Sequence, residues 1–450
     1  MGVDRAASST AATAEDRAGS WQDRPAGLPA AVPPPVVPLS FLVAASVGLI
    51  GCGAAWIWAA RTAAVDPTAD PVVAAVHLGV LATLSTGVLG ALHQFTPVVT
   101  QRPLRSLALA RVSLMSWLAA AWLLPLGVAT EHEGVVEAGG GLAACAIAII
   151  VTNLSKPLAV RGKGPPVTGL RFALAGFVAT ACFGLLYVAD RRGNWFDLTG
   201  HVVTAHAMVG LFAWLGLTYV SVAEKLWPMF FLAHVPKRAY GRIAVWAVPI
   251  GVALLAPGML TGARALGAVG AVVVAGGVGA HLASLLAHVR YRRRRADLHL
   301  LFVTTSALCL VVGAGLGISA VFVLPHQHHL GVALTAAGIA AWGGWLLETL
   351  VGHAHKVVPF IGWSAIRARG IVRSSSGRPL LFADLYDHTW AAITYGLVTT
   401  AVLMLCIGLA TSLPIATAFG GGLFVATGFV VATNLSVAPI RMLVSSPRSG

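Results

Sequence analysis

The stretch PHQHHLGVALTAAGIAAWGGWLLETLVGHAHKVVPFIGW, residues 325–363, is an apolar run of helical length with histidines at both ends. These histidines are His326, His328, His329, His353 and His355. An α-helix rises about 1.5 Å per residue, so His329 and His353 lie roughly 36 Å apart, slightly more than the hydrocarbon thickness of a bilayer. The stretch therefore predicts a membrane-spanning helix, and ionisable groups in such a helix indicate a functional site by default.

Two other stretches of the chain share this design, each with a histidine near its start and a polar pair followed by x-x-Pro at its end. The starting histidines are His77 and His206, and the three polar pairs are His93-Gln94, Glu224-Lys225 and His355-Lys356. The prolines that follow are Pro97, Pro228 and Pro359. The similarity indicates an internal repeat.

The composition of the chain sets its class. Hydrophobic residues make up 57% of the 450 residues and charged residues only 10%, which excludes a soluble domain and predicts a polytopic membrane protein. The net charge of +14 arises from basic residues in short loops between apolar runs. This is the pattern of cytoplasmic loops, so we expect membrane lipid and no nucleic acid as a partner. The five cysteines form no CxxC pair and are interpreted as small core residues.

The apolar runs predict an all-α fold with about twelve transmembrane helices. They lie near residues 38–60, 71–99, 107–129, 135–155, 168–189, 200–231, 241–260, 264–288, 298–324, 327–360, 388–411 and 414–438. Loops after even-numbered spans are basic and loops after odd-numbered spans are mostly neutral or acidic, which predicts cytoplasmic termini in a bacterial-type cytoplasmic membrane. Residues 1–36 are interpreted as a disordered cytoplasmic tail. Residues 37–440 form the predicted membrane domain, and residues 441–450 a second cytoplasmic tail.

The histidine-bearing stretches fall in spans 2, 6 and 10, four spans apart. A second similarity supports this period, because the Thr-Asn-Leu-Ser at 152–155 in span 4 recurs at 433–436 in span 12. Together they predict three pseudo-equivalent four-helix units. Spans 2, 6 and 10 are expected to face a common interior, with spans 1, 5 and 9 nearer the rim.

The predicted orientation gathers polar residues at the two membrane surfaces. The outer group is His77, His206, His326, His328 and His329. The inner group is His93, Glu224, His353 and His355, to which His281 and His288 of span 8 are added. Neutral imidazole ligates haem iron, copper and zinc, and helix bundles build such sites from histidines on facing helices. Solvation at headgroup depth is the alternative for the outer group.

Twelve spans in three quartets, with histidines on spans 2, 6 and 10, resemble subunit I of the haem–copper oxidases and nitric oxide reductases. The resemblance implies that His77 and His328 ligate a low-spin haem b and that His326 faces a second haem. His206 is the nearest match to the copper ligand of the sixth span, and His329 is a further candidate metal ligand. The implied function is electron transfer or O₂ and NO chemistry, with an electron donor and partner subunits or a homo-oligomer as partners.

Two features of the family pattern are missing. Span 7 contains no histidine pair for copper, and no tyrosine follows His201 or His206 by four residues. An oxidoreductase of the cytochrome oxidase type is thus one reading, and a proton- or metal-coupled transporter that uses the same histidines is the other. The inner group is left with three roles: a second metal site, a proton path, or contacts with haem propionates. The lysines Lys225 and Lys356 are interpreted as snorkelling to the interface.

Overall fold

The computed structural model describes residues 31–193, 202–236, 239–323, 335–373 and 377–444, and this part of the chain is helical without a β-strand. Its helices are α1 (Val36–Val65), α2 (Asp70–Thr100), α3 (Leu107–Ala129), α4 (Glu133–Leu158), α5 (Gly164–Gly193), α6 (Val202–Phe231), α7 (Tyr240–Leu260), α8 (Arg264–Arg290), α9 (Leu298–Val323), α10 (335–368), α11 (His388–Ala410) and α12 (Pro414–Val444). A 3₁₀ turn, Phe382–Leu385, precedes α11.

Eleven helices within the described ranges are long and apolar enough to cross a membrane, namely all of these except α10. The chain is therefore an all-α, multi-pass membrane protein, as the composition predicts. The helix surfaces agree with this conclusion, because large apolar side chains such as Val272 and Ile415 are more than two thirds exposed. Such side chains are expected to contact lipid. The beginning of the predicted tenth span and most of the predicted tail 1–36 lie outside the described residues.

Helices α2, α6 and α10 each contain an eight-residue π-helical segment. The segments are Leu78–Ser85, Val209–Gly216 and Ala340–Leu347, so each begins 131 residues after the previous one. The same interval separates the polar pairs and prolines near the ends of these helices. π-helical turns are rare and concentrate at functional sites. Their recurrence at one position in three helices is a structural counterpart of the sequence repeat.

A repeated turn also joins the helices of three tight hairpins, α3–α4, α7–α8 and α11–α12, of which the first two are separated by the same interval. Each first helix ends at a threonine whose hydroxyl donates to the carbonyl four residues earlier, and the next residue has positive φ. The turns are Thr130-Glu131, Thr261-Gly262 and Thr411-Ser412. A glycine in each hairpin, Gly127, Gly258 or Gly408, lies so close to the following helix that a Cβ would collide with its backbone. The third hairpin is displaced by a longer connection between α10 and α11.

The two Thr-Asn-Leu-Ser sequences hold the beginnings of the hairpins. The side-chain oxygen of Asn153 accepts a hydrogen bond from the backbone N–H of Ser106 at 2.9 Å. Asn434 accepts one from the N–H of Asp387 at 3.3 Å. Ser106 and Asp387 are in turn the N-caps of α3 and α11. The asparagine of each sequence thus ties the end of one helix to the capped start of another.

The bundle closes on itself because α12 packs along α1, and the hairpins provide the other extensive helix contacts. The π segment of α10 contacts those of α2 and α6, and all eight of its residues are buried. Within the most apolar 18-residue stretch of each helix, 67% of the residues are buried in α2 and 56% in α6, against 17% in α5 and 28% in α9. The prediction that α1 lies nearer the rim is wrong, since 61% of the residues in its most apolar stretch are buried. This helix packs against α2 and α12.

The cysteines are less uniform than the sequence predicts. All five are free, and Cys52 is fully buried against α2. Cys145 and Cys182, however, are exposed on the surfaces of α4 and α5. The prediction of five core residues is therefore wrong for these two, because helices with few buried residues place most of their small side chains against lipid.

Candidate functional site

Two of the predicted ligands meet at one end of the bundle, which is called the His77 end here. The imidazole rings of His77 and His206 lie nearly parallel, at 14°, with their centroids 6.4 Å apart. Nδ1 of His77 donates a hydrogen bond to the Val73 carbonyl at 2.8 Å. The lone pair of Nε2 is then free to coordinate a metal ion. Nδ1 of His206 is buried without a hydrogen-bond partner.

The π segments of α2 and α6 begin just after His77 and His206 in the chain and pack against neighbouring helices. A Cβ on Gly79, two residues after His77, would collide with the indole of Trp342 in α10. One further contact joins the segments of α6 and α2, where Nε1 of Trp214 donates to Oγ of Ser85 at 3.1 Å. The Trp342 indole and the Trp214–Ser85 hydrogen bond thus pack the three π segments together next to the two histidines.

Three of the predicted outer histidines, His326, His328 and His329, lie outside the described residues. The expected pairing of His77 with His328 and the role of His326 therefore stay predictions. Within the described ranges, no group of three or more His, Cys, Asp or Glu side chains is arranged to hold a metal ion. His77 and His206 supply two imidazoles, which fit haem iron or copper as partial ligand sets.

The predicted inner residues lie near the ends of α2, α6 and α10 that carry the prolines, called the Pro97 end here, but they do not form one site. His93 stacks on Phe41 of α1 at 5.1 Å. His355 stacks on Phe302 of α9 at 6.0 Å. Each of these histidines thus faces the helix that precedes its own, α1 for His93 and α9 for His355. His353 lies two residues before His355 and therefore points in a different direction.

Glu224 has a separate environment of its own. Its Oε1 accepts a hydrogen bond from Oγ of Ser284 in α8 at 2.8 Å. A Cβ on Gly241 at the start of α7 would collide with the same carboxyl group. Glu224 is thus enclosed by α7 and α8, away from His93 and His355. A single inner constellation, which was one reading of the sequence, does not describe these positions.

His353 belongs to a buried cluster of imidazole and aromatic rings, named here the ring cluster. It lies 4.7 Å from His299 and 5.8 Å from Tyr219, and Tyr219 lies 5.1 Å from His281. Trp227 covers His281 at 4.8 Å. Four helices, α6, α8, α9 and α10, therefore converge on this cluster. Distances are between ring centroids.

Several nitrogens of the ring cluster are buried without a hydrogen-bond partner. They are both ring nitrogens of His299, Nδ1 of His281 and Nε2 of His353, whose Nδ1 is bonded to the Thr349 carbonyl. Buried polar atoms without partners are rare and indicate a bound water, ion or proton-transfer role. Sequence reasoning missed His299, and its position in the first turn of a span was the only available signal.

Lys356 is part of the same end of the bundle and does not snorkel. Its Nζ donates to Oδ2 of Asp297 at 2.7 Å and lies 5.3 Å from the centroid of Phe230. The snorkelling interpretation is therefore wrong for Lys356, which is buried, whereas Lys225 at the corresponding position of α6 is exposed. Asp297 is the last residue before α9, so the ion pair holds the ammonium group between α9 and α10.

A small polar pocket opens beside this ion pair, with room for about one water molecule. Its polar lining comes from Asp297, His299, His355, Lys356 and Tyr386. Burial, followed by the nearby Asp297 carboxylate, raises the pKa of Tyr386 in the loop before α11. The phenol therefore stays neutral at ordinary pH and remains a proton donor in this pocket.

A comparison of the chain with protein-family models finds no match, and a search of the curated proteins finds none. The functional assignment therefore depends on the chemistry and geometry of the residues described above.

Proposed function

We propose that this protein binds haem b or copper at the His77 end and uses it for electron transfer or small-gas chemistry. The observation that supports this most directly is the pair His77 and His206. These residues come from different helices, are half-buried, and present nearly parallel rings with 6.4 Å between centroids. Histidines on facing helices are the usual ligands of haem iron and copper in helix bundles.

The protein side of such a site has defined tasks. The Val73 carbonyl fixes the ring orientation of His77 and favours the tautomer with a free Nε2. Trp342 and Trp214 pack between the π segments that follow the two histidines, and we expect them to keep water out of this part of the bundle. When bound, haem or copper supplies one-electron redox chemistry and a coordination position for a small gas. His326, His328 and His329 are the proposed additional ligands.

We further propose twelve spans arranged as three four-helix units. The π segments, the polar pairs with their prolines and the Thr-turn hairpins, which recur at the same place in each quartet, support this arrangement. The basic residues between even and odd spans support a cytoplasmic Pro97 end with both termini inside. The His77 end then faces the outside of a bacterial-type cytoplasmic membrane, where an electron donor or partner subunit has access.

The second candidate function is a proton- or metal-coupled transporter. The observation that favours it is the ring cluster, in which His281, His299 and His353 have buried nitrogens without partners. Histidines inside a membrane domain form proton relays in pumps and transporters. This function requires no haem, so the two candidates make different predictions about the purified protein.

The deciding experiment is a visible spectrum and a metal analysis of the purified full-length protein. The haem proposal predicts Soret and alpha bands, and the copper proposal predicts about one copper per chain. His77→Ala, His206→Ala and His328→Ala should abolish or shift the bands or lower the copper content. His132→Ala, in the exposed loop between α3 and α4, is the matched control and should leave both unchanged.

Protein purified without haem and without copper contradicts the first proposal and favours the transporter. Bound cofactor that is unaffected by His77→Ala and His206→Ala contradicts the assignment of these residues. If only His77→Ala and His328→Ala change the spectrum, the low-spin haem pair implied by the family resemblance is supported instead of the pair formed by α2 and α6.

A further inference from the structure

Glu348 is an ionisable residue near the middle of α10 that the proposed cofactor site does not use. It is the first residue after the π segment, its side chain is fully buried, and neither carboxyl oxygen has a hydrogen-bond partner. An ionised carboxylate without partners is very unfavourable in apolar surroundings. Ionisable groups in such positions are typically functional.

Two neighbours of Glu348 in the described part of the chain are Cys309 of α9 and Thr399 of α11. Thr399 of α11 lies beside the carboxyl group, and its hydroxyl is likewise buried without a partner. The thiol of Cys309 lies near the Glu348 carboxyl group and near the thiol of Cys406 on α11. The surroundings of Glu348 therefore favour the neutral carboxylic acid, with the Thr399 hydroxyl as the adjacent polar group.

A line of polar side chains leads from Thr399 towards the Pro97 end. Tyr395, one helical turn before Thr399 on α11, exchanges a hydrogen bond of 2.8 Å with Thr305 of α9. Phe302 contacts Tyr395 at 5.1 Å and His355 at 6.0 Å, so Tyr395 and His355 flank the same ring. The apolar ring of Phe302 separates these two polar groups, so a water molecule beside the ring is needed to connect Tyr395 with His355.

The line ends in the polar pocket beside the Lys356–Asp297 ion pair. His355 and Tyr386 both line this pocket, and Nε2 of His355 is buried without a partner. Each of the three helices α9, α10 and α11 thus contributes polar groups to one common seam between apolar surfaces. The described part of the chain supplies this seam in the third quartet, where the loop before α11 reaches the pocket.

We propose that Glu348 is a proton-binding site inside the membrane domain, loaded from the Pro97 end through the seam formed by Tyr386, His355, Tyr395 and Thr399. A proton taken from water at the pocket passes along these groups, with a water molecule bridging the gap beside Phe302, and forms the O–H bond of Glu348, converting carboxylate to carboxylic acid. Release reverses the step, and no other reactant is needed. This goes beyond the proposed cofactor site and does not depend on haem or copper.

The test is infrared spectroscopy of the purified full-length protein during exchange from H₂O into D₂O. The wild type should show the carbonyl stretch of a protonated carboxylic acid, and Glu348→Gln, which keeps shape and neutrality, should remove that band. Tyr395→Phe and Thr399→Val should slow the deuterium shift of the band by about 100-fold or more, because a positioned proton-transfer group contributes about 10²- to 10⁴-fold. Thr304→Val is the matched control, because Thr304 is exposed and bonds to its own helix.

A band that persists in Glu348→Gln would show that the protonated group is another residue and would overturn the proposal. Exchange in Tyr395→Phe and Thr399→Val as fast as in Thr304→Val would overturn the route through the seam. Labelling of the wild-type protein with dicyclohexylcarbodiimide tests the site without a substitution, because this reagent modifies protonated carboxyl groups in apolar surroundings. Modification of Glu348, located by peptide mass spectrometry, is expected, and its absence would also overturn the proposal.

Discussion

Lys356 donates a 2.7 Å hydrogen bond to Asp297, a contact between a lysine within a helix and an aspartate at the entrance of the preceding one. Only 9% of the lysine side chain is exposed, against 32% for the aspartate. The ammonium group therefore depends on one partly hydrated carboxylate for its charge compensation. This ion pair fixes the connection between α8 and α9 against α10.

Asp297→Asn should destabilise the protein by about 1–3 kcal/mol, because it leaves the Lys356 charge without its partner and the pair is only partly buried. The double variant Asp297→Asn with Lys356→Met should recover part of this loss, since it removes the unpaired charge as well. Thermal unfolding in detergent measures both effects. Lys225→Met is the control, because Lys225 is exposed at the corresponding position, and a loss equal to that of Asp297→Asn there would contradict the explanation.

Asn153→Ala should destabilise the protein by about 1–2 kcal/mol, because the N–H of Ser106 loses its acceptor at a partly buried site. Asn434→Ala should have a similar effect through Asp387. Ser155→Ala is the matched control, since this exposed hydroxyl bonds only to its own helix. The measurement is again thermal unfolding, and equal effects of Asn153→Ala and Ser155→Ala would show that the asparagine does not anchor α3.

Gly258→Ala should destabilise the α7–α8 hairpin, because the new methyl group meets the backbone of Gly267 and forces the helices apart. Overpacking of this kind costs about 1–3 kcal/mol. Gly276→Ala in α8 has open space around its Cβ and should be neutral or slightly stabilising, because alanine favours helices. A thermal unfolding midpoint that is lower for Gly276→Ala than for Gly258→Ala would be inconsistent with the packing.

The proposed orientation is tested by labelling single cysteines with a membrane-impermeant maleimide in a variant whose five native cysteines are alanines. His132→Cys, in the loop after α3, should react in intact cells. Arg292→Cys, in the basic loop after α8, should react only after permeabilisation. Both positions are exposed in the structure, so access depends on the side of the membrane. Labelling of Arg292→Cys in intact cells would reverse the assignment.

The sequence predicted the helix bounds well because prolines, charged residues and short loops interrupt its apolar runs. The predicted span 241–260 differs by one residue from Tyr240–Leu260, and the predicted spans starting at 264 and 414 begin where α8 and α12 begin. The sequence also drew attention to His77 and His206, whose rings lie 6.4 Å apart in the structure, because an ionisable residue inside an apolar run is visible without a structure. The helix bounds and these two histidines could be found because both depend only on which residue types follow one another along the chain.

Relationships between helices were not predictable in the same way. The burial of α1 results from its contact with α12, at the other end of the chain. The ring cluster depends on the rotation of α9, which brings His299 to His353, and apolar spans with little amphipathic signal do not reveal their rotation. The π segments have no distinct residue pattern, since the three share little beyond apolar and small side chains.

The π segments also separate the rotational setting of the two ends of each long helix. One residue advances an α-helix by about 100°, so deleting one residue from Leu78–Ser85 turns His77 by that angle relative to His93 while α2 remains a continuous rod. The number of residues in the π segment therefore sets the rotation of His77 about the helix axis relative to His93. In α2 and α6, the histidine before the π segment can therefore be oriented independently of the polar pair that precedes the proline.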